Sequence, residues 1–155
     1  SIYNGLKAIK QDNESTDDIV VVIHDGNRPM LTQDVITDNL VKQKKYGSAV
    51  TVIPTTEVVF VSKDGIESNE ALNRDELWRT QTPHSYAFDE LWKVHNQAIK
   101  DGVTNMAASC SLMQKYGYMT YFSKGSEKNI KITTVEDIEI FKALLNAKND
   151  EWIKK

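Results

Sequence analysis

The run Val21-Val22-Ile23-His24-Asp25-Gly26-Asn27-Arg28-Pro29 constrains this chain more than any other segment. The apolar stretch Ile19–His24 reads as a strand covered on both faces. It stops at His-Asp-Gly, and an Arg-Pro follows at once. A carboxylate and a guanidinium therefore stand just past the carboxyl end of a strand, where open α/β sheets bind ligands. Two later segments share that chemistry, Arg74–Pro83 (RDELWRTQTP) and Asn129–Thr133 (NIKIT). Together the three supply an acid, arginines, a lysine and hydroxyls, a set suited to phosphates and a metal ion.

The pattern around these segments predicts one α/β domain over residues 1–155. Ser1–Lys10 reads as a helix through Ile2, Leu6 and Ile9. A helix from Thr32 or Gln33 to about Tyr46 is stopped by Gly47, and Ala49–Ile53 is the next apolar strand. Strand, helix, strand predicts a mostly parallel sheet with a right-handed crossover. Glu57–Ser62, the turn Lys63-Asp64-Gly65 and Ile66–Asn73 read as a hairpin arm projecting from that sheet. Leu77–Tyr86 reads as irregular around Pro83. Helices follow over Phe88–Asp101 and Ala107–Tyr116, then strands over Tyr118–Phe122 and Asn129–Thr133. Thr134-Val135-Glu136-Asp137 has the spacing of a capping box, opening a helix to about Ala147. Trp78, Trp92 and Trp152 are expected in the core or an interface.

Charge and cysteine content narrow the function classes. Lys and Arg number 19 against 22 Asp and Glu, a net charge of −3, so no global basic field favours nucleic acid. Any phosphate binding must be local. The single Cys110 excludes an internal disulfide and fits a reducing compartment. No apolar run is long enough for a membrane span, and no signal peptide is visible at the start, so a cytoplasmic location is expected.

IHDGNRP at 23–29, RDELWRTQTP at 74–83 and NIKITTVED at 129–137 resemble, in order, the motifs of the cytidylyltransferases that make CDP-alcohols. The nearest forms are those acting on 2-C-methyl-D-erythritol 4-phosphate and on ribitol 5-phosphate. The resemblance implies a Rossmann-like nucleotidyltransferase fold and transfer of CMP from CTP to an alditol phosphate, releasing pyrophosphate. It also implies Mg²⁺ and a homodimer joined through the arm at 57–75. On it, Asp25 is the catalytic, metal-holding carboxylate, and Asp25 with Gly26 faces the nucleotide. Lys131 is the catalytic lysine. Arg28, Arg74, Thr82 and Thr133 bind substrate, Arg74 across the dimer. The family's glycine-rich triphosphate loop has no counterpart here. The expectation is a partial domain, inactive by itself; the alternative is a non-catalytic dimerisation and substrate-binding half. Asn27 stands where the family has a small residue. A pocket threonine falls at Val58 and a Thr-Asp pair at Ala107-Ala108; these departures favour ribitol phosphate. Bland roles compete: a turn for Asp25, surface ion pairs for Arg28 and Arg74, and an edge position for Lys131.

Overall fold

The computed structural model describes residues 2–103 and 108–150, with side chains to 147. Thr104–Ala107 and Trp152 lie outside the described residues. The elements, in chain order, are α1 (Ile2–Asp12), β1 (Val20–Ile23), α2 (Gln33–Tyr46), β2 (Ser48–Pro54), β3 (Val59–Val61), β4 (Glu70–Leu72), a 3₁₀ turn at Arg74–Glu76, β5 (Trp78–Ala87), α3 (Phe88–Lys100), α4 (Ser109–Lys115), β6 (Phe122–Lys124) and α5 (Val135–Asp150). None of the described helices is long and apolar enough to cross a membrane.

The sheet is mixed, not mostly parallel. Its order is β1-β5-β2-β6, with β5 antiparallel to both neighbours and β2 parallel to β6. β1 and β2 do run in the same direction, as the strand–helix–strand pattern requires, but β5 lies between them. That strand falls where the sequence reads as irregular. Pro83 has no N–H for a ladder, yet none is needed at this point. β1 pairs only with residues 84–87, and the β2 register shifts between Val50 and Val52, opposite Gln81–Pro83. The Thr82-Pro83 peptide bond is cis.

β1 is an edge strand of this sheet, and Val20 and Val22 are 41% and 47% exposed, so its expected cover is on one face only. Asn129–Thr133 is not a strand. Its backbone is held by the β1–α2 loop instead: Ile132 N–H donates to Asn27 O at 2.8 Å, and the Asn27 amide donates to Ile132 O at 2.8 Å. β3 and β4 pair with each other in a separate antiparallel ribbon.

The helices follow from local signals. Gly47 takes φ 86° to close α2, a conformation glycine adopts without strain. At α5, the Thr133 and Thr134 N–H groups donate to Asp137 Oδ2, both at 2.8 Å. Asp137 N–H returns a bond of 3.3 Å to the Thr134 hydroxyl, so the expected capping box is formed. The core lies between the sheet and α1, α3 and α4. It contains Leu6, Val50, Val52, Tyr86, Phe88, Leu91, Val94, Leu112 and Met113, and Cys110 is a buried thiol within it. Trp92 packs on this core, stacked on Tyr3 at 5.5 Å, whereas Trp78 is 48% exposed. On the opposite face α2 buries Val35, Asn39 and Gln43 at helical spacing. Asn39, wholly buried, donates to Pro83 O, Thr51 Oγ1 and Ser123 Oγ, and so anchors the bend of β5.

Candidate active site

Three separate segments converge on one carboxylate. Asp25 follows β1, and Arg28 N–H donates to Asp25 O at 3.0 Å, closing a tight turn. Within that turn Arg28 Nε reaches Asp25 Oδ2 at 3.1 Å. Lys131, from the irregular segment after β6, brings Nζ to the same oxygen at 3.4 Å. Burial would raise the Asp25 carboxyl and is the largest single influence. The Arg28 hydrogen bond and the Lys131 charge together outweigh it and hold the group below its ordinary value. Asp25 is therefore ionised at neutral pH. Its side chain and that of Lys131 are 31% and 46% exposed, while Arg28 is 11% exposed.

These residues line a cleft of about 260 Å³ together with Ile23, Gln81, Thr82, His84 and Ser109. Larger hollows lie along the ribbon turn around Asp64, but they gather no convergent positive charge. Residues that the sequence reading passed over hold the cleft's walls. Asn129, fully buried, donates from its amide to Thr82 O at 2.9 Å, and its backbone carbonyl accepts from Arg28 Nη1 at 2.8 Å. The Gln81 amide donates to Ser126 O at 2.8 Å and its side-chain carbonyl accepts from Ser126 N–H at 3.1 Å. The available signal is only that Gln81 and Asn129 fall within the two later motif segments, as neutral amides able both to donate and to accept. His84 is 4% exposed; burial lowers its pKa and keeps it neutral.

The remaining sequence-predicted residues divide. Thr82 lines the cleft and is 7% exposed. Thr133 lies outside the cleft lining, and its hydroxyl donates to Asp137 at 2.9 Å. Gly26 has open space where a Cβ would stand, and its φ is not positive, so the backbone does not demand glycine there. Arg74 is not among the cleft residues; its Nη1 donates to Thr56 O at 3.0 Å and its side chain is 55% exposed. Val58 is an exposed residue of the ribbon region, and Ala108 lines the cleft.

The described residues contain no cluster of three or more His, Cys, Asp or Glu that would cage a metal ion. Asp25 is the cleft's carboxylate, and Oδ2 is its cation-paired oxygen. A single carboxylate in a cleft that also gathers Arg28 and Lys131 fits Mg²⁺, which takes one or two carboxylates and keeps waters and substrate oxygens in its shell. It does not fit an ion that needs an all-protein cage.

The family model described as 2-C-methyl-D-erythritol 4-phosphate cytidylyltransferase matches residues 1–147. Ribitol-5-phosphate cytidylyltransferase of Lacticaseibacillus paracasei is 36% identical over 150 residues, covering 96% of this chain and 63% of that protein. 2-C-methyl-D-erythritol 4-phosphate cytidylyltransferase of Alkaliphilus oremlandii is 33% identical over 151 residues, covering 97% and 61%. The chain thus spans less than two thirds of the length of these relatives. Among solved structures, the Francisella tularensis 2-C-methyl-D-erythritol 4-phosphate cytidylyltransferase superposes with a TM-score of 0.82 at 28% identity, over 92% of this chain and 65% of that one. The Thermus thermophilus protein of the same name gives 0.80 at 23% identity, over 94% and 68%, a likeness of fold.

Proposed function

This chain belongs to the 2-C-methyl-D-erythritol 4-phosphate cytidylyltransferase family, and from that premise we propose that it serves transfer of CMP from CTP to an alditol phosphate. The observation that carries the reading is the meeting of Asp25, Arg28 and Lys131 on one oxygen at the mouth of a strand. An oxygen of the alditol phosphate attacks the α-phosphorus of CTP; that O–P bond forms as the bond to the β-phosphate oxygen breaks, and pyrophosphate leaves. The attacking phosphate is already ionised, so the reaction asks for charge neutralisation and alignment rather than a base. Arg28 offers a forked donor with most of its length buried, which limits where a phosphate can sit. Lys131 supplies a second, more exposed positive charge. Asp25 is the residue that would hold Mg²⁺, which when bound neutralises triphosphate oxygens.

Ribitol 5-phosphate is the preferred acceptor in this reading, on the Val58 and Ala107-Ala108 departures. Homodimerisation through the region 57–75 completes it, with Arg74 of one copy gripping the alditol phosphate of the other. What supports this is that Arg74 stays outside the cleft of its own chain, in the 3₁₀ turn that follows a ribbon region with exposed Val58, Phe60 and Ile66. The test is pyrophosphate release by the complete protein with CTP and Mg²⁺, offered ribitol 5-phosphate or 2-C-methyl-D-erythritol 4-phosphate. Release with either, and more with ribitol 5-phosphate, is expected. Release with neither would refute the reading.

A further inference from the structure

The hydroxyl of Thr82 has one proton, and the structure shows where it goes. The Arg28 carbonyl can only accept, so its 3.0 Å bond to His24 Nε2 places the ring proton on that nitrogen. In the neutral ring Nδ1 is then an acceptor, and Thr82 Oγ1, 2.9 Å away, donates to it. The same Thr82 oxygen accepts the Asp25 N–H at 2.9 Å. Every link in this chain runs in one direction only. His24 thereby ties both ends of its own turn: the Arg28 carbonyl directly, and the Asp25 amide through Thr82.

We propose that His24 is a positioning residue of the site, acting through Thr82 on Asp25, and that Thr82 grips the turn rather than the substrate phosphate. The inference rests on the function proposed above. A phosphate dianion offers only acceptors. A threonine whose proton is committed to an imidazole has nothing to donate to it, and turning that proton toward substrate would leave His24 Nδ1 without its donor. The phosphate is left to Arg28 and Lys131, whose N–H groups are charged and in excess.

Kinetics of the complete protein with CTP, Mg²⁺ and ribitol 5-phosphate separate the two roles. Thr82→Val should lower kcat by about 10- to 100-fold and move KM for ribitol 5-phosphate by no more than about threefold, as expected for lost alignment rather than lost binding. Thr82→Ser restores the hydroxyl, and His24→Asn restores an acceptor near Nδ1; both should recover to within about fivefold of the unaltered kcat. His24→Leu with Thr82→Val should lose far less than the product of the two single losses, because the Thr82 link is common to both. A tenfold or larger rise in KM with unchanged kcat in Thr82→Val, or multiplicative losses in the double variant, would overturn the proposal. Hydrogen exchange of the Asp25 amide reads the brace without activity. It should quicken in Thr82→Val and His24→Leu and stay slow in Thr82→Ser; unchanged exchange would overturn the proposal. Absence of transfer with either alditol phosphate would refute the function, and the exchange would still decide the brace.

Discussion

Two arginines carry the phosphate chemistry expected of this chain, and the fold treats them in opposite ways. Arg28 is 11% exposed and bonded at Nε to Asp25, in its own turn, and at Nη1 to Asn129, 101 residues away in sequence. Arg74 is 55% exposed and bonded to the nearby Thr56 carbonyl. The turn at 24–28 is cross-braced by His24, Asn27, Thr82 and Asn129. The ribbon is two strands of three residues, with Phe60 65% and Ile66 88% exposed. A two-stranded ribbon is at best marginally stable by itself. The contrast sets a turn braced from three segments of the chain against a ribbon that, on the proposed dimer, would gain its support from a second copy.

The comparison can be broken or sharpened by substitution. Lys131→Ala should cost about 10²–10³ in kcat, the effect of removing one charge-stabilising donor, with the circular dichroism spectrum unchanged. Arg74→Ala should raise KM for the alditol phosphate by about 10- to 100-fold and leave CTP binding intact, because it removes a charge-assisted bond to one substrate only. Equal loss of both substrates would give Arg74 a folding role instead. Stability should divide along the same line. Asn129→Leu strands the buried Thr82 carbonyl and should destabilise the chain by about 1–3 kcal/mol in urea melts. Phe60→Ser should change the stability of the separated chain by less than about 0.5 kcal/mol while weakening self-association in sedimentation velocity.

The smallest effect concerns pH. The N–H groups of Thr133 and then Thr134, with the Thr133 hydroxyl, hold the Asp137 carboxyl down to about 2. A depressed carboxyl contributes fully above its ordinary value and loses that contribution as pH falls through the folded one. The first turn of α5 should therefore fray between about pH 4 and pH 2, seen as faster amide exchange at Thr133 and Thr134.

Much of this was legible from residues alone, where a local signal acts locally. Gly47 and the Thr134–Asp137 box end and begin helices by their own geometry. The segments bearing Asp25, Arg28 and Lys131 stand out in the sequence as charged residues beside apolar runs, and the fold brings the three together. Illegible were features decided by distant partners. Pro83 reads as a break, but it sits where neither neighbouring strand asks for its N–H. Ile130 and Ile132 alternate like a strand, yet Ile132 finds its backbone partner in the turn at Asn27. Asn129 reads as the first residue of that strand, yet it is completely buried outside the sheet, with its amide donating to the Thr82 carbonyl.

The most direct test of the divided site mixes two defective proteins. Arg74→Ala and Lys131→Ala chains are combined, allowed to exchange subunits, and assayed for transfer from CTP to ribitol 5-phosphate. In a symmetric dimer whose ribbon serves the partner, each mixed dimer regains one intact site, and an equal mixture should recover about a quarter of the unaltered activity. Recovery of nothing beyond the two separate proteins, with mixed dimers demonstrably formed, would contradict the sharing of Arg74 between copies.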